Sequence, residues 1–265
     1  MRGRVLIIAG SDSGGGAGIQ ADIKTVTALG GFAMTALTAL TAQNTQGVHG
    51  VHEVPLDFIE QQIQVCLDDL GADAIKTGML HSAKVIERVV KTLSAYPPIP
   101  LICDPVMRAK GGAALLEDEA QAALAKILLP RAHIITPNIP EAQALTQQTI
   151  ETPDAMDTAG KALCAQGADL ALMKGGHLNH GPMIDLLVSS HTCQALVPGR
   201  DRTDSRHTHG TGCTLAAALA TGIAQDMDVF SAAQRAVKFV DGALTHAPGY
   251  GGGHGPLNHA WQTHP

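Results

Sequence analysis

Near its N-terminus the chain reads VLIIAGSDSGGGAG over residues 5–18. The first five residues are an uninterrupted apolar run, which is typical of a strand buried on both faces of a sheet. The glycine-rich stretch 11–18 follows as a loop, and the segment after it is predicted to be a helix to about residue 29, ended by Gly30 and Gly31. Strand, loop and helix in that order form the first part of a parallel βαβ unit.

The same alternation of short apolar runs and longer helical segments continues along the chain. Further strands are predicted at 35–42, 74–77, 101–104, 133–136 and 170–173. Helices are predicted at 58–70, from Ser82 to before Pro97, and at 153–166, 211–224 and 229–244. Such alternation predicts a parallel sheet with helices on both faces. Residues 183–188 and 194–197 instead predict an antiparallel hairpin at one edge, and one domain covering residues 1–265 is the simplest organisation.

The composition indicates an ordered core and excludes several classes of protein. Hydrophobic residues make up 45% of the 265 residues and charged residues only 16%, which argues against disorder. The formal net charge is −6, and no run of Lys and Arg could follow a nucleic-acid backbone. The five cysteines form no Cys-x-x-Cys pair, which favours a reducing compartment. The apolar run 5–9 is too short for a signal peptide or a membrane span, so we expect a cytoplasmic protein with neither nucleic-acid nor membrane partners.

Polar and glycine-containing motifs follow nearly every predicted strand. They are Gly10, Gln43-Asn44, Gly78-Met79, Asp104, Asn138 and Lys174. The carboxyl ends of parallel strands lie along one rim of a sheet, where ligands bind in open α/β folds, although polar turns occur there in any such protein. The loop 11–18 is neither a P-loop nor a dinucleotide fingerprint, because no Gly-Lys-Ser/Thr follows it and the G-x-G-x-x-G spacing fails. It can let backbone approach a ligand, or it can be a flexible turn.

Residues 209–214, HGTGCT, are the sharpest candidate for chemistry. Gly210 and Gly212 flank Thr211 just before an alanine-rich segment, and successive amide N–H groups at such a helix start form a pocket for negative charge. Phosphoryl transfer needs that pocket, because charge spreads over the equatorial oxygens of the phosphoryl group. Cys213 lies in the first turn, where the helix field is expected to lower the pKa of its thiol so that it could accept a proton from a substrate hydroxyl. A buried structural cysteine is the alternative.

Oxygen-bearing side chains suited to Mg²⁺ are present at Asp104, Asn138 and Glu141. Asn138 and Glu141 share one face if a helix starts there, and Glu141 could instead stabilise the first turn of that helix. Lys174, before two glycines, could reach a phosphate, or it could be a solvated lysine at a strand end. The close histidine pairs lack a zinc-binding context and are assigned structural or solvent-facing roles: His49/His52, His177/His180 and His207/His209.

Taken together, these motifs resemble the hydroxymethylpyrimidine/phosphomethylpyrimidine kinases of the ribokinase-like family. The matching segments run in family order over nearly the whole chain: AGSD (9–12), GGGAGIQAD (14–22), TAQNT (41–45), KTGML (76–80), DPVM (104–107), TPN (136–138) with Glu141, MKGGH (173–177) and THGTGCT (208–214). The resemblance implies a three-layer α/β/α sandwich with a mostly parallel central sheet.

The activity that the resemblance implies is two successive phosphorylations by ATP with Mg²⁺ in thiamine biosynthesis. The first acceptor is the hydroxymethyl group of 4-amino-5-hydroxymethyl-2-methylpyrimidine, and the second is the resulting monophosphate. A homodimer is implied as well, whereas the use of a monovalent cation is left open.

The resemblance also implies a role for each matching residue. The pyrimidine site would be lined by Gly10, Asp22, Gln43, Met79 and Val106. The anion pocket would be formed by Gly210, Thr211 and Gly212, with Cys213 beside it as the catalytic residue. ATP would be bound by Lys174 and Asn138, and magnesium would be held by Asp104 and Glu141.

Two departures from the family pattern and two alternative functions accompany this interpretation. His207 stands where relatives often have Asn, and residues 109–113 lack the serine and the acid that relatives often carry there. A pyridoxine/pyridoxal kinase on the same scaffold is the nearer alternative, because its substrate also offers a hydroxymethyl group on a substituted aromatic ring. A nucleotide-binding sensor without catalysis is the other, and the intact segment 210–213 argues against it.

Overall fold

The computed structural model describes residues 2–108, 111–112, 115–178, 183–200 and 205–262. Its strands are β1 (Arg4–Asp12), β2 (Phe32–Asn44), β3 (Gly47–Glu53), β4 (Ala74–Thr77), β5 (Leu101–Cys103), β6 (Ile134–Ile135), β7 (Leu170–Met173), β8 (Met183–Val188) and β9 (Cys193–Arg200). These strands form one sheet in the order β3-β2-β1-β4-β5-β6-β7-β8-β9.

Parallel pairing holds the middle of the sheet together. β1 lies between β2 and β4, so that Ile7 is opposite Thr35 on one side and Lys76 on the other. The pairs from β4 through β7 are parallel as well. Both edges are antiparallel, because β3 pairs with β2 and the β8–β9 hairpin pairs with β7. The predicted sheet and its edge hairpin are thus confirmed.

Helices cover both faces of the sheet. They are α1 (Gly18–Ala28), α2 (Leu56–Asp69), α3 (Ala83–Leu93), α4 (Asp118–Ala123), α5 (Ile139–Thr146), α6 (Pro153–Ala165), α7 (Thr211–Ala224) and α8 (Val229–Thr245). One apolar cluster packs the helices from α2 through α6 against one face of the sheet. A second cluster packs α1, α7 and α8 against the other face. In the central strand β1, Leu6 and Ile8 belong to the first cluster and Val5 and Ile7 to the second. This is the three-layer sandwich that the sequence predicts.

The alanine-rich helix α7 is buried along most of its length. It packs against α1, α8 and the strands β1, β4 and β5. Small side chains such as Ala216, Ala217 and Ala220, all fully buried, allow this close approach from every side. The first turn of α7 therefore has a fixed position at the carboxyl ends of the central strands.

Several elements differ from the predicted ones. β3 was not predicted, because its sequence GVHGVHE is mostly exposed and carries little apolar alternation. The helix α4 was also not predicted, and it continues through a π-helical turn at Leu124–Leu128. Ser82 precedes α3 as predicted, but its side chain makes no capping hydrogen bond. The tail from residue 248 forms no helix or strand in its described part, as predicted.

No helix among the described residues combines the length and apolarity that crossing a bilayer would require.

Candidate active site

A cleft of about 1020 Å³ opens at the carboxyl ends of the parallel strands, beside the first turn of α7. Its lining contains every predicted site residue except Asp22: Gly10, Gln43, Met79, Asp104, Val106, Asn138, Glu141, Lys174, Gly210, Thr211, Gly212 and Cys213. Residues from distant parts of the chain thus meet in one place, as expected at this rim of an open α/β sheet.

The turn before α7 is held in a conformation that only glycine adopts easily. Gly210 is the N-cap of the helix and has φ +83°. A side chain at this position would collide with the carbonyl oxygen of Gly16 in the glycine-rich loop. The amide of Thr214 donates to Gly210 O at 2.9 Å, while helix geometry leaves the amides of Gly212 and Cys213 without intrahelical acceptors. These N–H groups and the helix dipole make this turn a receptor for an anion.

Replacing Gly210 with alanine is expected to disturb both the turn and the loop that packs on it. The strained backbone alone costs of order 1–3 kcal/mol, and the contact with Gly16 is with backbone that cannot rotate away. We expect a loss of about that size in the free energy of unfolding, measured with urea, together with a fall in kcat/KM. Gly47→Ala is the control, because nothing lies within 4 Å of a Cβ there. Equal stability of the two variants would contradict this account of the turn.

Asp12 organises the glycine-rich loop, a role that the sequence analysis did not assign. Its carboxylate accepts hydrogen bonds from the amides of Gly14 at 2.8 Å, Gly16 at 3.1 Å and Ala17 at 2.8 Å, and it lies 2.8 Å from His209 Nε2. Burial favours the neutral acid, but these bonds, above all that with His209, outweigh it and lower the pKa of Asp12. The loop is therefore a fixed element tied to the turn before α7. An Asp two residues before a glycine run is the sequence signal that could have revealed this.

The thiol of Cys213 opens on the cleft and is half-buried. Burial raises its pKa to about 12, although Lys76 and a hydrogen bond from the amide of Gly18 act in the opposite direction. The expectation that the helix field gives a lowered pKa is therefore wrong for this protein without ligands. The loss of hydration outweighs the field of one helix terminus. To act as a base, Cys213 must ionise to the thiolate, and the positive charges around it favour that form.

One such charge belongs to a buried ion pair beneath the cleft. Lys76 Nζ donates to Asp22 Oδ2 at 2.8 Å, and neither side chain is exposed to solvent. Burial lowers the pKa of Lys76, but the attraction of Asp22, Cys213 and Asp104 outweighs it and the net pKa lies above the ordinary value. Lys76 also reaches the cleft wall, whereas Asp22 does not. Asp22 is absent from the cleft lining and its Oδ2 faces Lys76, so its contact with a pyrimidine stays a prediction.

A second charged cluster faces the anion turn. Lys174 Nζ lies 3.2 Å from Asp104 Oδ1 and 3.8 Å from Glu141 Oε2. A Cβ on Gly212 would lie 3.3 Å from the same ammonium group. Burial opposes the charge of Lys174, but the two carboxylates outweigh it and raise the pKa of the lysine. The lysine is thus held beside the anion turn rather than solvated at a strand end.

Asp104 and Glu141 offer oxygen atoms suited to a magnesium ion. Asp104 Oδ2 is buried and has no hydrogen-bond partner among the described residues, whereas Oδ1 accepts from Thr136 at 3.3 Å. Burial raises the pKa of Glu141 to about 7, and the neighbouring Asp104 adds to this rise while Lys174 opposes it. A divalent cation would relieve the repulsion between the two carboxylates and occupy the free oxygen. The residues present therefore fit Mg²⁺.

Asn138 and Glu141 form a capping box at the start of α5. Asn138 Oδ1 accepts from the amide of Glu141 at 2.9 Å, and Glu141 Oε2 accepts from the amide of Asn138 at 2.8 Å. The alternative that Glu141 stabilises the first helical turn is therefore correct, and it is compatible with a ligand at the other carboxylate oxygen.

Another part of the cleft lining is an apolar wall with a polar edge. Met79 and Leu115 pack together with Val106, and a Cβ on Gly10 would lie 3.0 Å from Met79 Sδ. Gln43 supplies the polar edge, with Oε1 3.2 Å from Thr41 Oγ1 and Nε2 3.2 Å from His209 Nε2. A flat heterocycle would find apolar contact and hydrogen-bonding groups here.

The two departures from the family pattern lie in different surroundings. Ala109, Lys110 and Ala113 lie outside the described residues, while Gly112 lines the cleft. His207 packs against the C-terminal tail, where a Cβ on Gly255 would collide with its ring. Of the dismissed histidine pairs, His180 lies outside the described residues, and no described member belongs to a cluster of metal-ligand type.

Comparisons with known proteins agree with this geometry. The family model described as phosphomethylpyrimidine kinase matches residues 12–258. The hydroxymethylpyrimidine/phosphomethylpyrimidine kinase of Bacillus subtilis is 48% identical over 259 residues, 97% of this chain and 94% of that protein. The thiamine biosynthesis bifunctional protein ThiED of Geobacter sulfurreducens is 46% identical over 97% of this chain, which spans only 52% of that longer protein.

Solved structures show the same fold. The phosphomethylpyrimidine kinase of Clostridium difficile has a TM-score of 0.80 at 39% identity, covering 90% of this chain and 97% of that one. The pyridoxal kinase of Staphylococcus aureus in complex with ADP has a TM-score of 0.91 at 33% identity, covering 100% of this chain and 96% of that one.

Proposed function

The chain belongs to the phosphomethylpyrimidine kinase family, and we propose that it uses ATP to phosphorylate 4-amino-5-hydroxymethyl-2-methylpyrimidine in thiamine biosynthesis. A second transfer then extends the monophosphate to the diphosphate. We further propose one kinase domain over residues 1–265, a cytoplasmic location and a homodimer.

The single observation that carries the proposal is the anion turn at Gly210–Cys213 opening on the cleft beside Lys174. Amide dipoles and an ammonium group meet there from two different elements. A transferring phosphoryl group spreads its negative charge over three oxygens, so preorganised donors of this kind stabilise it more than the ground state. Lys174 and the side-chain NH2 group of Asn138 would also serve the phosphates of ATP.

The acceptor would lie between the apolar wall and Cys213. Met79 and Val106 would contact the pyrimidine ring, Gln43 would bond its polar edge, and Gly10 would let the ring approach the backbone. The Cys213 sulfur would accept the proton of the attacking hydroxymethyl group, while the cation of Lys76 favours the thiolate. Mg²⁺ held by Asp104 and Glu141 would neutralise phosphate charge.

Pyridoxal kinase activity is the second candidate, and the similarity to the staphylococcal pyridoxal kinase favours it. Its substrate places the same hydroxymethyl group on a ring of similar size. The same cleft could therefore accept either ring.

Product analysis after incubation with ATP, Mg²⁺ and the free hydroxymethyl pyrimidine tests the proposal. We expect the monophosphate to appear first and the diphosphate after it. Steady-state kcat/KM with pyridoxal in a parallel assay decides between the two candidates. A higher kcat/KM for pyridoxal would replace the first proposal with the second, and release of no ADP with either substrate would reject both.

A further inference from the structure

A cluster of metal-ligand type lies outside the lining of the cleft. It consists of Glu53 at the end of β3, His81 in the turn after β4 and Glu117 just before α4. One ligand atom from each residue lies within 4.8 Å of the others. His81 Nε2 and Glu53 Oε1 are 3.1 Å apart. Two ligands of a tetrahedral zinc ion, each about 2.0–2.2 Å from the metal, are separated by a similar distance.

The hydrogen bond at Nδ1 shows which ring nitrogen of His81 carries the hydrogen when the ring is neutral. Nδ1 lies 3.2 Å from the carbonyl oxygen of Leu115, and a carbonyl can only accept, so Nδ1 carries the hydrogen. In the neutral ring Nε2 is then the acceptor nitrogen, and it lies 3.1 Å from Glu53 Oε1. A cation between these two acceptors, or a second proton on the ring, would make this contact favourable. A backbone carbonyl that orients a histidine in this way is the usual support of a metal ligand.

A bound cation and a protonated ring differ in how much carboxylate charge they neutralise. A protonated ring would neutralise one of the two carboxylates, whereas a divalent ion with a neutral imidazole neutralises both. The backbone also holds His81 in place, because its carbonyl accepts from the amide of Glu117 at 3.1 Å and its φ is +65°, in the left-handed region.

We propose that Glu53, His81 and Glu117 form a binding site for a divalent cation of the zinc class, with solvent as the fourth ligand. Imidazole nitrogen and carboxylate oxygen suit Zn²⁺, and the exposure of both glutamates leaves room for water. The ion would join β3 to the segment that carries Met79 and to the segment containing Leu115 and Leu116, and these three residues line the cleft. This inference does not depend on the proposed kinase activity.

Titration calorimetry with Zn²⁺ on chelator-treated protein tests the proposal. The cleft also offers ligands, so the measurement compares variants with the wild type. His81→Asn removes the imidazole but tolerates the left-handed backbone. We expect H81N to bind one equivalent of Zn²⁺ fewer than the wild type. We expect E53Q and E117Q to bind Zn²⁺ at this site at least tenfold more weakly.

Matched controls come from the same two elements. His52→Gln lies next to Glu53 on β3, and Glu119→Gln lies on α4, yet neither residue belongs to the cluster. Both variants should bind zinc like the wild type. Circular dichroism and urea midpoints establish that each variant is folded, and E53Q supplies the test if H81N is not. Wild-type stoichiometry and affinity in the folded cluster variants would overturn the proposal and leave the imidazolium–carboxylate pair as the state of His81.

Discussion

Replacing Cys213 with alanine is expected to lower kcat by about 10²- to 10⁴-fold while leaving the protein folded. The sulfur is the group in the cleft wall that lies beside the anion turn and could accept a proton from an attacking hydroxyl. Alanine fits the half-buried site without collision, so the free energy of unfolding should change little. Steady-state kinetics with the free hydroxymethyl pyrimidine and a thermal unfolding curve measure the two effects.

Cys66→Ala is the matched control. Cys66 lies on α2, outside the lining of the cleft, and is likewise a free, half-buried cysteine. Its replacement should leave kcat unchanged. A C213A enzyme with near-normal turnover would show that another group, or the phosphate itself, accepts the proton.

The pH dependence gives an independent check on the same residue. The base is active as the thiolate, and the free protein holds the pKa of Cys213 at about 12. The thiolate fraction therefore rises about tenfold per pH unit, and kcat/KM, which reports ionisation in the free enzyme, should rise without a plateau between about pH 8 and 9.5. Glu141, with a pKa of about 7, is ionised throughout that range and adds no slope. A plateau above pH 8 would contradict proton transfer to the Cys213 thiolate.

The parts of the fold that the sequence predicts are those with a strong local pattern. α7 was predicted with its observed bounds, because two glycines end the preceding turn and an alanine run follows. β4 and β7 were also predicted with their observed bounds, since each is a short apolar run between breakers. β3 lacks such a pattern, because it is an exposed edge strand whose pairing with β2 depends on the turn between them.

The sequence predicted which residues meet at the candidate site where those residues follow strands. It did not predict the pKa values and ion pairs that burial determines. Asp104, Asn138 and Lys174 share the cleft because parallel strands end at one rim. The high pKa of Cys213 depends on how much solvent reaches the sulfur, which no local pattern encodes. The ion pair of Lys76 could have been predicted from the sequence, because a lysine inside a short apolar strand needs a buried counterion.

The role of Asp22 shows the same limit. The family resemblance implies contact with the pyrimidine, which stays a prediction, and it gave no sign that the carboxylate pairs with Lys76, 54 residues away along the chain. Sequence motifs identify which residues belong to a site, but only the packing of α1 on β4 shows whether a side chain faces the ligand or another side chain.

Breaking the buried pair is expected to have the largest effect on stability. Lys76→Met keeps the length of the side chain but leaves the carboxylate of Asp22 buried without a partner. Removal of one member of a buried ion pair typically costs about 3–5 kcal/mol. Burial already raises the pKa of Asp22 to about 6 in the intact pair, and its Oδ1 has no partner among the described residues. Urea unfolding at pH 7.5 measures the loss.

A double-mutant cycle separates the pair from other effects of the substitution. In D22N/K76M neither charge remains, so this variant should be less destabilised than the sum of the two single variants. The pair Lys161–Asp157, 2.7 Å apart with an exposed lysine and a half-buried aspartate, is the control, and Lys161→Met should cost about 1 kcal/mol or less. Because Lys76 also favours the Cys213 thiolate, K76M and D22N/K76M should share a reduced kcat even though their stabilities differ. Additive stabilities in the cycle would mean that the two side chains do not interact as an ion pair.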